Sequence, residues 1–109
     1  MAEYIPDGWV VVKIDTEKET FYKIFGSWRG GYLDGDSWRM NSGVVRCEKE
    51  GKIYKFYGHS GSCYACHESG YRRLGPYNEG VLQRYVDRAN GQLTYFEEMP
   101  EDILTMEWE

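Results

Sequence analysis

The sequence predicts an α+β fold: a mainly antiparallel sheet of four to six strands with one helix, about residues 78–89, packed on it. Three observations predict it. Two pairs of short β-rich runs are each joined by a turn, a single segment carries helical periodicity, and 17% of the residues are aromatic alongside 13 glycines. Tyr and Trp combine a large apolar body with a polar tip, which suits half-buried sheets and pocket walls. With 41% hydrophobic residues in 109, the chain can bury a core and is expected to form one domain over 1–109.

The elements follow in order. Gly8 to Ile14 (GWVVVKI) reads as the first strand, with Val10, Val12 and Ile14 on one face. Asp15 to Glu19 is a polar turn, and Thr20 to Phe25 (TFYKIF) returns as the second strand. Gly26 to Ser37, with four glycines and two aspartates, reads as a shaped loop. Trp38 to Glu48 resumes extended character, kinked at Ser42-Gly43. Lys49-Glu50-Gly51 then turns the chain into Lys52 to Tyr57, the second hairpin. Gly58 to Gly75 is irregular again, with room for a brief strand at Tyr64-Ala65-Cys66. In the helix Asn78 is the expected N-cap, Val81, Leu82, Tyr85, Val86 and Ala89 form the apolar stripe, and Asn90-Gly91 is the stop. Gln92 to Phe96 and Ile103 to Trp108 read as late strands.

Charge and composition exclude several classes. No segment approaches the roughly 20 apolar residues of a membrane span, and Met1-Ala2-Glu3-Tyr4 has no basic leader, so a place in the cytoplasm, of a host cell in the reading below, is expected. The net charge of −5 is concentrated late: residues 59–109 hold four arginines against nine acids, six of them after Phe96. Direct nucleic-acid binding is not expected of such a chain. The acidic end reads as a solvated tail or as a surface for a basic partner. Three cysteines are an odd number, and a disulfide framework is not expected.

Cys63-Tyr64-Ala65-Cys66-His67 fits a haem-attachment pattern, but that chemistry belongs to exported proteins. Cys47, His59, Cys63 and Cys66 offer four zinc ligands, although only the Cys63–Cys66 gap has a usual spacing. The primary expectation is therefore no metal and no cofactor, with a small zinc-binding domain as an alternative. Catalysis lacks a complete constellation. Cys66 with His59 has no evident third member, and Asp34 with Asp36 is also ordinary turn chemistry. The chain reads as a binder, not an enzyme.

The expected ligand site combines the two glycine-rich stretches. The first offers Ser27, Trp28, Arg29, Tyr32, Trp38, Arg39, Asn41 and Ser42, the second His59, Ser60, Ser62 and Tyr64, with Arg72 and Arg73 further on. Rings suit stacking on a base, and arginines, hydroxyls and exposed N–H groups suit phosphate.

The stretches GSWRGGYLDGDSWRMNSG and FYGHSGSCYACHESGYRRLGPYNEGVLQRY resemble small accessory proteins of tailed bacteriophages, over about residues 8–88. That resemblance implies interference with host defence. The expected function is thus non-enzymatic countering of bacterial immunity by sequestering a nucleotide second messenger. The alternative partner is a host defence protein, such as a nuclease or CRISPR effector, inhibited through the acidic surface. A homo-oligomer is expected, since two small chains can enclose a pocket that one cannot.

Overall fold

The run Trp9-Val10-Val11-Val12 organises the fold, because all four side chains are fully buried. A strand presents alternate residues to opposite faces, so an unbroken apolar run requires cover on both sides. In the computed structural model, which describes residues 3–31, 35–105 and 108, that cover is a second sheet on one face and a helix on the other. The strands are β1 (Glu3–Tyr4), β2 (Gly8–Asp15), β3 (Thr20–Gly31), β4 (Gly35–Met40), β5 (Val44–Glu50), β6 (Ile53–Gly58), β7 (Cys63–His67) and β8 (Leu93–Tyr95), and α1 spans Pro76–Arg88.

The fold is α+β and mainly antiparallel with one helix, as the sequence predicts. In place of the single sheet of four to six strands expected, the strands divide into two sheets of four, ordered β1-β7-β6-β5 and β4-β3-β2-β8, and neither closes into a barrel among the described residues. Every strand pairing is antiparallel except β1 with β7. Trp9, Val11 and Ile24 from one sheet meet Tyr54, Phe56, Tyr64 and Cys66 from the other. Val10, Val12 and Phe25 on the reverse face meet Leu74, Val81 and Leu82. The layers are sheet, sheet and helix.

Several local expectations are corrected. The described part of Gly26 to Ser37 is strand and not loop: β3 continues to Gly31 and β4 begins at Gly35, with an irregularity in register between Trp28 and Gly31. Cross-strand pairing overrides the glycine content, and Gly26 serves packing, since a Cβ there would lie 3.3 Å from both Pro6 and Trp28. The kink at Ser42-Gly43 divides two strands of different sheets, with Gly43 at φ 123. Within Gly58 to Gly75, β7 is a full five-residue strand.

Asn78 does not cap the helix. Gly75, at φ 83, stands at the cap with Pro76 in the first turn, because proline's fixed φ and missing N–H suit that position. Asn78 is buried inside the helix and donates from Nδ2 to Ser27 Oγ and Ser37 O, both at 2.8 Å. Ile103 to Thr105 form turns rather than a strand, and the acidic tail is not a free end: Ile103 and Trp108 are buried in the core between the sheets. Glu97 also pairs with Arg72 at 2.8 Å.

Candidate functional site

Two predicted segments converge where β4 leaves its sheet. Asn41 ends the β3–β4 ladder with its side chain as well as its backbone. Its N–H donates to Ile24 O at 3.2 Å, and its Oδ1 accepts the Ile24 N–H at 2.9 Å. The β6–β7 turn is stitched to the next residues: His59 N–H donates to Gly43 O at 3.1 Å, and Ser60 N–H to Ser42 Oγ at 3.1 Å. Gly43 is required here, since a Cβ would approach His59 Cδ2 to 2.9 Å. Ser60 Oγ then lies 3.3 Å from Ser42 Oγ and 3.2 Å from Ser62 Oγ, a row of three hydroxyls.

These residues border a cleft of about 470 Å³ lined by Tyr4, Lys23, Arg39, Met40, Asn41, Ser42, Ser60, Ser62 and Tyr64. The Arg39 guanidinium lies 4.6 Å over the Tyr4 ring, and Tyr4 leans on Tyr64 at 5.2 Å. Burial pushes the Tyr64 phenol up to about 12, against the opposing pull of Arg39. Neither Lys23 nor Arg39 has a carboxylate partner among the described residues. No carboxylate, thiol or imidazole is among the residues lining the cleft. Asn41 Nδ2 is buried without a hydrogen-bond partner, an uncommon state for an amide. The cleft offers cations, hydroxyls and amides in an acidic chain, which suits an anionic ligand rich in acceptors.

Of the twelve predicted site residues, six lie together here: Arg39, Asn41, Ser42, Ser60, Ser62 and Tyr64. Ser27 is buried on the helix side of its sheet, donating to Leu74 O at 2.6 Å. Trp38 stacks on Phe25 at 5.3 Å and meets Tyr85 of α1, so it packs the helix instead of offering a ring to a ligand. Trp28 packs on Tyr4 and donates its indole N–H to Ile5 O at 3.0 Å. Ser27 and Trp38 are turned from Arg39 by the alternation of β3 and β4, whose successive side chains face opposite ways, whereas Trp28 shares the face of Arg39 and is engaged in packing behind Tyr4. His59 borders an adjoining recess with Phe21 and Trp108, which shares Ser42 with the cleft. Arg29 lines a different cleft. Tyr32, and the side chains of Asp34 and Asp36, lie outside the described residues. Tyr4, Lys23 and Met40 were missed, because a tyrosine ahead of the first hairpin, a lone lysine in TFYKIF and a methionine in a strand carry no local signal.

The cysteine alternatives lose their geometric support. Cys63 and Cys66 stand three apart on β7, so their thiols face opposite sides of the strand and cannot form a chelating half-site. No group of three metal-ligating side chains occurs among the described residues. Burial holds the Cys66 thiol well above its ordinary value, and burial with Glu48 nearby holds Cys47 at about 12. Such thiols stay protonated at neutral pH, and Cys66 is fully buried, so a Cys66–His59 nucleophile is not supported. No protein-family model, no curated protein sequence and no solved structure matches the chain.

Proposed function

We propose that this protein binds a phosphorylated nucleotide without turning it over, holding its phosphate in the cleft between Lys23, Arg39 and the serine row. The observation that carries the reading is the pair Lys23 and Arg39, both without a carboxylate partner among the described residues, lining a cleft that offers no acid, in a chain of net charge −5. Arg39 lies over Tyr4, and its guanidinium has an N–H edge for a phosphate and a second face for a base, a combination that lysine lacks. The volume falls within the range of small-molecule sites, roughly 300–1,000 Å³. The titratable groups of the lining are Lys23 and the phenols of Tyr4 and Tyr64, with no carboxylate, thiol or imidazole to act as a base near neutral pH, which favours binding over catalysis. In the setting that the resemblance to phage accessory proteins implies, such binding would withdraw a nucleotide signal from bacterial immunity.

Calorimetry against a panel of cyclic and linear nucleotides tests the proposal. One class should release heat with saturation, and Arg39→Ala and Lys23→Ala should each weaken it. A charge-assisted contact is worth about 1.5–3 kcal/mol, so the expected loss is about ten- to a hundredfold. A silent panel with the unmutated protein sinks the reading.

A second reading, inhibition of a defence protein through an acidic surface, is favoured by one observation. Burial of Ile103 and Trp108 holds the exposed acids Glu97, Glu98, Glu101 and Asp102 against the body of the protein. Neutralising all four should then abolish association with the target most strongly at low salt.

A further inference from the structure

A second cleft, of about 530 Å³, follows β1 along the chain and shares no lining residue with the first. Two glycines build it. A Cβ on Gly8 would lie 1.9 Å from Arg73 O, and one on Gly70 would lie 2.9 Å from Asp7 O. Segments 5–8 and 67–73 therefore approach at a distance closed to other residues. Trp9 ties them further, donating from Nε1 to His67 O at 2.6 Å and accepting the Arg72 N–H at 2.7 Å. Arg72 itself sits at φ 64, a conformation disfavoured for a residue with a Cβ and kept only where its surroundings enforce it.

This over-determined backbone aims chemistry into the cleft. Arg73 follows the strained residue directly, and Arg29, His67 and Ser69 complete the rim. Neither Arg29 nor Arg73 has a carboxylate partner among the described residues. The one carboxylate of the lining, Asp7, is engaged at Oδ2 by the backbone N–H of Arg29 at 2.8 Å. Two arginines against one carboxylate that a backbone N–H already engages leave this cleft net positive, in a chain with 18 acids against 13 Lys/Arg, and call for a local reason.

We propose that this cleft is a separate anion site that takes the phosphate group of a small phosphomonoester. Its donors come from three segments: Arg29 on β3, His67 and Ser69 at and after the end of β7, and Arg73 beyond them. A tetrahedral phosphate presents three peripheral oxygens to such an arrangement, whereas a planar carboxylate presents two and leaves donors unused. Ile5, which is 58% exposed, and Pro6 form an apolar wall for the organic part of the ester.

NMR titration of the whole protein at constant ionic strength tests the proposal with inorganic phosphate, phenyl phosphate and acetate. We expect saturable shifts of the Ser69 and Gly70 amides with both phosphates, with phenyl phosphate the tighter, and no saturation with acetate. Arg29→Ala and Arg73→Ala should each weaken phosphate by about tenfold or more. Phosphate should also shift the Ser60 and Ser62 amides of the first cleft, and Arg39→Ala should weaken that response by about ten- to a hundredfold while leaving the Ser69 and Gly70 shifts intact, so failure of one cleft is distinct from failure of the other. The proposal is overturned by shifts that never saturate, by equal response to acetate, or by retained affinity when Arg29→Ala and Arg73→Ala are combined. Should the alanine variants fold poorly, Arg29→Gln with Arg73→Gln, checked by unchanged resonances elsewhere, removes the same two charges and must lose the same affinity.

Discussion

Arg39 and Trp38 are adjacent in sequence and do opposite work, because successive strand residues face opposite ways. Arg39 lies over Tyr4 in the first cleft, while Trp38 stacks on Phe25 beneath the helix. Arg39→Ala should therefore cost ligand affinity and leave the melting temperature nearly unchanged. Trp38→Ala should cost about 3 kcal/mol of stability, the lower end for a large core aromatic because its ring is only partly buried, with ligand affinity retained. Parallel thermal melts and calorimetry on the two variants check this. Loss of stability in both would move Arg39 into the packing and remove it from the site.

The glycines separate elements that need close approach from those that do not. At Gly8 in β2 a Cβ would collide with Arg73 O at 1.9 Å, so Gly8→Ala must push apart the segments that build the second cleft. We expect a loss of about 2 kcal/mol or more, within the usual range for overpacking. At Gly80 in α1 a Cβ would meet nothing within 4 Å, and Gly80→Ala should stabilise by about 0.5–1 kcal/mol through helix propensity alone. Chemical denaturation of both variants measures the contrast. Equal effects would show that the approach of β2 to residues 70–73 is looser than these distances imply. At the same scale, Asn78 links α1 to β3 and β4 through Ser27 and Ser37, which is why a residue typical of caps lies inside the helix.

For the whole molecule, the tail closes the core. Trp108 meets Tyr22 at 5.6 Å and Phe56 at 5.5 Å, joining both sheets. Trp108→Ala should lower stability by roughly 3–5 kcal/mol, a loss that a solvated tail would not show. Alkaline pH should also unfold the protein. Burial raises Cys47, Tyr64 and Tyr71 each to about 12, and raises Cys66 strongly. A raised folded value means that the folded state holds the proton more tightly than the unfolded chain. The associated stability is complete below the unfolded values, roughly 8.5 for Cys and 10 for Tyr, and falls as pH rises through the window up to about 12. Each group contributes a slope of at most about 1.4 kcal/mol per pH unit there. Denaturant midpoints measured from pH 7 to about 11 should be flat at first and fall beyond about 9. A flat profile throughout would mean that these groups are less buried than the packing indicates.

By itself the sequence determined the fold class, both hairpins, the single helix and half of the predicted residues in the first cleft. These are local matters: strand period, the positive φ at Gly51 after β5, and the apolar stripe at Val81 and Leu82 are set by neighbours in the chain. Arg39, Asn41 and Ser42 were legible beside Ser60, Ser62 and Tyr64 because both groups flank turns after strands. The tertiary structure alone decided which face each residue took. One residue of phase along β3 and β4 separates Ser27 and Trp38, under the helix, from Arg39 in the cleft. It also decided that Tyr4, Lys23 and Met40 complete the cleft, that β7 parts Cys63 from Cys66, and that Trp108 returns to the core. Each of these depends on pairing and packing between residues distant in sequence, whose free energy arises only once both sheets are assembled.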